Sequence, residues 1–279
     1  MLIKATKAGS LAIDDLGRNR GGQAVQKGFE ERRGGNLLSW LSPLGQATRL
    51  FCLSLSYDSW RTFSWRDFKR YCGWLGPRSF HFIALAGVAI SLAMTIECVL
   101  ELQKYRAQDL AGAVISIGLL RELAPLTLST AWCASVAALI AGECKWYRWQ
   151  YQDDGELAAS FVLPRYLAAL CMSLPLSGYG LIIGFVTGAL FAPLLGVTSI
   201  NDFFEAARQA THDTDIIVFF IKLVAVNPTV GVFAGCAAGM AATSTKDPVE
   251  AKAVVATALA CYLINLGITA VFYLVGGSS

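Results

Sequence analysis

The sequence predicts an all-α integral membrane protein, with an N-terminal interfacial helix followed by five transmembrane helices. Three observations predict it. Of the 279 residues, 55% are hydrophobic and only 15% are charged, whereas soluble domains carry about a quarter charged residues. Several apolar runs exceed the roughly 18 residues that a bilayer-crossing helix needs. Charge is also unevenly placed: residues 1–78 hold 13 Lys or Arg against 6 Asp or Glu, a basic flank of the kind that stays cytoplasmic. No aromatic or Arg-rich reading motif accompanies that flank, so nucleic acid is not an expected partner.

Residues 1–35, with GRNRGG and EERRGG, are polar, Gly-rich and mixed in charge, and read as a flexible tail. They lack the apolar core of a signal peptide. Residues 36–79 read as juxtamembrane and interfacial. Within 64–80, Trp65, Phe68, Tyr71, Trp74 and Leu75 fall at helical spacing opposite Arg66, Lys69 and Arg70, which suits a helix lying in the interface. Residues 80–279 form a five-helix domain with crossings near 80–102, 109–141, 166–195, 216–243 and 253–275. A hydrocarbon core of about 30 Å takes about 20 residues, so the second run is too long for one straight span.

The connections set an orientation. Segment 198–215 carries Asp202, Glu205, Asp213 and Asp215 against Arg208 and is expected outside. The N-terminus is then cytoplasmic and the C-terminus outside, with loops 143–165 and 244–252 on the cytoplasmic side. The eight cysteines show no metal-ligand or C-x-x-C spacing and read as small buried residues. In the fourth crossing Gly231, Gly235 and Gly239 recur every four residues, and GFVTG repeats the interval at Gly184 and Gly188. Small residues stacked in this way let two helix backbones approach closely in lipid. Whether the seam lies within or between subunits stays open.

The chain lacks a phosphate loop, a G-x-S-x-G elbow and an H-E-x-x-H pair, so no catalytic residue, metal site or bound cofactor is expected. Charged groups in the apolar runs carry the functional signal instead, because such groups normally face a cavity or a partner. Arg121 and Glu122 are adjacent and cannot easily face the same way. Pro125 offers no N–H to the carbonyl of Arg121, which predicts a helix kink or break there. Lys222 lies in the fourth run, followed by Pro228, a second expected break. Asn265 is the polar residue in the middle of the fifth.

The ordered series R-E-L-x-P from Arg121, A-x-E ending at Glu143, L-P-R at 163–165 and D-x6-K from Asp215 to Lys222 resembles the MlaE/YrbE-type permease family, the membrane subunits of MCE-associated lipid ABC transporters. The resemblance covers about residues 65–276. It implies a dimer of permease subunits, identical or not, in a bacterial inner membrane or a plastid inner envelope. A cytoplasmic ABC ATPase would bind ATP and Mg, and an MCE-domain substrate-binding protein would exchange phospholipid or a related hydrophobic molecule. It implies that Arg121, Glu122 and Lys222 border the lipid-handling region. Asn265 departs from the family, in which an acidic residue can occur at that position. The ATPase-coupling loop is shorter than the family's, with Glu143, Asp153, Asp154 and Glu156 as its acidic residues. That shortening keeps a second reading open: a scaffold, or a divergent half of a heterodimer, that anchors an MCE protein without coupling to ATP hydrolysis. An ion-coupled carrier would show paired inverted repeats, and none is evident.

Overall fold

The computed structural model describes residues 42–150, 154–197, 199–242 and 247–275; the polar tail 1–35, Asp153 of the loop and the terminal 276–279 lie outside the described residues. Every regular element among the described residues is helical. Five helical paths are long and apolar enough to cross a membrane: Trp65–Lys104, Gln108–Tyr147, Asp154–Leu195, Asp213–Met240 and Val249–Tyr273.

Two short helices come first, α1 (Ser42–Ser54) and α2 (Tyr57–Arg61). α1 buries Ala47 and Leu50, and the ring of Phe51 meets Tyr166 at 5.0 Å. Helix α3 (Trp65–Lys104) starts where the Ser64 hydroxyl accepts the Asp67 N–H at 3.3 Å. The aromatic and basic interfacial segment is therefore not a separate element. It forms the first turns of a single 40-residue helix that runs through Pro77 and on into the first span. An interruption inside the apolar layer would strand several backbone groups, whereas Pro77 removes one N–H.

The second path comprises α4 (Ala111–Gly118), a π-helical segment Leu119–Ser129, and α5 (Thr130–Gln150). The third comprises α6 (Asp154–Leu157), a π-helical turn Ala158–Val162, and α7 (Leu163–Phe191). An amphipathic helix, α8 (Ile200–Ala210), leads to the fourth path: α9 (Asp213–Phe220), π-helical Ile221–Val226, and α10 (Asn227–Met240). The fifth is α11 (Val249–Ala270), closing in π-helical Val271–Val275.

Two pairs of parallel helices organise the bundle. In the first, α3 and α7 meet through Gly87, Gly180, Gly184 and Gly188; Ser91 Oγ donates to the Gly184 carbonyl at 2.5 Å, and Phe80 stacks on Tyr179 with ring centroids 3.8 Å apart. In the second, α5 and α10 meet along the Gly231, Gly235 and Gly239 stripe. A Cβ at Gly231 would lie 2.9 Å from the Cys133 carbonyl oxygen, one at Gly235 2.7 Å from that of Ala137, and one at Gly239 2.7 Å from Cys144 Cβ. The seam therefore lies within the chain. α11 runs antiparallel on this second pair, with Ala253 packed beside Ala137 and Ala141. All eight cysteines are free, and four of them are buried in these contacts.

The Gly235 seam gives a direct test. Gly235→Leu should lower stability in detergent by about 1–3 kcal/mol or more, the range for overpacking. Gly267, on the open face of α11 with nothing within 4 Å of its Cβ position, should accept Ala with no loss. Thermal unfolding of the two variants checks this, and equal midpoints would show that the α5–α10 approach tolerates side chains.

Candidate functional site

Pro125 does not break the second path. The chain passes from Gly118 (φ −61°, ψ −43°) to Thr130 (φ −63°, ψ −43°) through a continuous π-helical segment. Widening the turn relieves the clash that a proline ring makes with the carbonyl four residues earlier, and the helix stays intact. Pro228 behaves the same way, sitting in the first turn of α10 directly after the π-helical segment Ile221–Val226. The two expected breaks are π-helical segments instead. Within the first of these segments, Lys222 Nζ donates to the Arg121 carbonyl at 2.7 Å.

Two ion pairs stand side by side on these segments. Arg121 Nε and Nη2 donate to Asp215 Oδ1 and Oδ2 at 2.7 and 3.3 Å, a two-point contact. Asp215 also accepts from Tyr273 Oη at 2.5 Å and from the His212 backbone N–H at 3.1 Å, and the Arg121 guanidinium lies 4.3 Å over the Tyr273 ring. As the third residue of α9, Asp215 also places its charge at the positive end of that helix. In the second pair, Lys222 Nζ is 3.6 Å from Glu122 Oε1 and 2.5 Å from Thr269 Oγ1, whose hydroxyl donates to Glu122 at 2.6 Å. Asp215 and Lys222 are 1% and 0% exposed, Arg121 and Glu122 31% and 33%. The outward half of the cluster is therefore Arg121 with Glu122, while Lys222 is an internal brace.

Below this lies a neutral ladder. Asn227 Nδ2 donates to the Pro125 carbonyl at 3.0 Å and to Ser129 Oγ at 2.9 Å. Asn265 Nδ2 donates to Asn227 Oδ1 at 2.7 Å and to the Cys261 carbonyl at 2.6 Å. Asn265 thus joins Asn227 rather than Arg121 or Lys222, and its role is to tie α11 to α10.

The loop residues part company. Glu143 belongs to α5, where its Oε2 accepts from Arg165 Nε at 2.8 Å, from Arg165 Nη2 at 2.6 Å and from Tyr71 Oη at 3.0 Å. Arg165 is 4% exposed and lies 3.6 Å from the Phe161 ring centroid and 4.1 Å from that of Tyr71. Glu143 is therefore a lock between α3, α5 and α7, not a free loop carboxylate. Asp154 pairs with Arg49 at 3.4 Å. Glu156 is exposed and borders a 480 Å³ cleft with Asp58, Ser59, Thr62 and Ser160.

The sequence reading missed Asp215 as a site residue, counting it among the acids outside, and did not mark Thr269 or Tyr273. The signal for Asp215 was present: it precedes Lys222 by seven residues, two turns along one helix face. Thr269 and Tyr273 carry no such signal, since one hydroxyl near a helix end looks like any other.

Removing Arg121 strands a buried carboxylate. Arg121→Ala should destabilise by about 3–5 kcal/mol, the figure for breaking a buried pair, whereas Arg121→Met with Asp215→Leu should recover most of the loss. Denaturation in detergent compares them; equal losses in the single and double variants would show that Asp215 does not depend on Arg121.

Known proteins resemble this chain. The family pattern described as Permease MlaE matches residues 68–152 and 156–271. A probable ABC transporter permease of Synechocystis sp. is 24% identical over 200 residues, 68% of this chain and 76% of that protein. The chloroplastic protein TRIGALACTOSYLDIACYLGLYCEROL 1 of Arabidopsis thaliana is 23% identical over 224 residues, 77% of this chain; the chain spans 64% of that protein's length. With matched segments covering most of its length and five apolar spans in the matched region, the chain belongs to the MlaE permease family.

Proposed function

We propose that this chain is the membrane permease subunit of an ATP-driven lipid transporter, moving phospholipid or a related amphiphile together with an MCE-domain partner and a second permease subunit. The observation that carries the reading is the ionic cluster on the π-helical segments of a family permease. It presents half-exposed charges of both signs beside apolar helix faces, the combination an amphiphile meets with its head and its chains. Arg121 and Glu122 are the headgroup contacts, Lys222 holds the Arg121 backbone in place, and Asn265 steadies the neighbouring Asn227. Hydrolysis of ATP with Mg belongs to a cytoplasmic ABC ATPase, in keeping with the name of the Synechocystis relative. The name of the Arabidopsis relative, which is that of a galactolipid and carries the word chloroplastic, supports a lipid cargo and makes a plastid inner envelope an alternative to a bacterial inner membrane. The basic N-terminal flank supports a cytoplasmic N-terminus.

One observation favours a second reading. The family match is interrupted at 153–155, where α6 begins, and Glu143 is already committed to Arg165. Both support a subunit that engages the ATPase weakly and leaves coupling to a different partner permease, or one that only anchors an MCE protein.

Purification of the full chain from its native membrane in mild detergent separates the two. The transporter reading expects a nucleotide-binding subunit in the complex and ATP hydrolysis that rises severalfold with added lipid. Consistent absence of such a subunit would overturn it in favour of the scaffold.

A further inference from the structure

We infer that the cluster selects zwitterionic phospholipid headgroups, carrying a phosphate and an amine together, over anionic ones. The inference rests on the lipid-permease reading above and names its substrate class. Three observations lead to it.

The first is depth. Glu122 and Glu143 lie 21 positions apart on one continuous helical path, about 30 Å at 1.5 Å per residue, which is the thickness of the hydrocarbon core. Glu143 is held by Arg165 and Tyr71 at one end of that distance, and Glu122 with Arg121 stands at the other. A separation of one hydrocarbon thickness suits a place at a membrane margin, where headgroups are. Asp215 agrees, being the third residue of the path Asp213–Met240.

The second is charge. The four ionic side chains are Arg121, Lys222, Asp215 and Glu122, two positive and two negative. The set is net neutral, and His212 and the exposed Asp213 at the start of α9 add no fixed positive charge. A headgroup with a net negative charge therefore gains no net attraction and must face two carboxylates. A headgroup carrying both signs can match both.

The third is the valence left over. Arg121 uses Nε and Nη2 on Asp215, and Nη1 has no hydrogen-bond partner among the described residues. Glu122 uses Oε1 on Thr269 and Lys222, and Oε2 has none among the described residues. One outward donor for a phosphate oxygen and one outward acceptor for an ammonium group thus sit on adjacent residues.

The test uses the full chain with its co-purifying subunits in nanodiscs of equimolar phosphatidylethanolamine and phosphatidylglycerol. After detergent extraction, the retained lipid is identified by mass spectrometry. The wild type should retain the ethanolamine lipid over the glycerol lipid by on the order of fivefold, the ratio expected from one charge contact near the membrane surface. Glu122→Gln gives the set a net positive charge and should reverse the preference. Glu122→Gln with Lys222→Met restores neutrality and should bring the ratio near one without favouring the anionic lipid. Equal or greater retention of phosphatidylglycerol by the wild type overturns the inference while leaving the lipid-permease reading standing. Retention of neither lipid overturns that reading and this one with it. The wild-type ratio decides even if a variant fails to assemble.

Discussion

The structure turns on one ammonium group. Lys222 is fully buried, and an ammonium has three protons to place and no capacity to accept. It donates to the Arg121 carbonyl and to Thr269 Oγ1, and Glu122 Oε1 stands 3.6 Å away as its ion-pair partner. The first of these lies in the π-helical segment around Pro125. A backbone carbonyl in the second path and a lysine in the fourth are thus joined, since a buried ammonium without its acceptors would be costly.

The π-helical segments follow from the same need. Three of the four sit at a proline: Leu119–Ser129 around Pro125, Ala158–Val162 before Pro164, and Ile221–Val226 before Pro228. Residues adjacent on a helix face different ways, and here they serve different partners. Arg121 reaches Asp215 on α9, while Glu122 reaches Thr269 on α11 and Lys222. Proline alone does not force widening, because Pro77 and Pro175 lie inside ordinary α-helix. What separates Pro125 is that its segment also carries the ionic cluster.

Much of this was legible in the sequence, and the limits have physical causes. Hydropathy gives the five spans because a bilayer enforces length and apolarity together. The glycine stripe of α10 was legible as a seam, but not its partner, since spacing shows a face and not what covers it. Lys222 was legible as a charged residue of this region, and it does reach the backbone beside Pro125. Asp215 was misjudged because a carboxylate at a span end looks the same whether it faces water or turns inward. The breaks at Pro125 and Pro228 were misjudged because sequence shows a lost hydrogen bond without showing the π-helical route around it. Asn265 was weighed as a weakened acid, whereas its amide serves a hydrogen-bonded ladder.

The same depth argument explains the excess length of the paths. If Glu122 and Glu143 mark the two margins of the apolar layer, then the part of the second path before Glu122, residues 108–121, extends beyond it. α3, of 40 residues, spans about 60 Å and overshoots in the same direction. These overhangs are where α8 packs. Phe203 is fully buried among Val99, Ala111, Ile115 and Ala189, and Ser116 Oγ lies 3.4 Å from the Ala207 carbonyl. The opposite face of α8 exposes Asp202, Glu205 and Arg208, which hydrocarbon would not accept. The first part of the second run is thus occupied by packing against α8 rather than against the ionic cluster. α8 covers α4 and the adjoining ends of α3 and α7, while Arg121 and Glu122 stay about one-third exposed beside it.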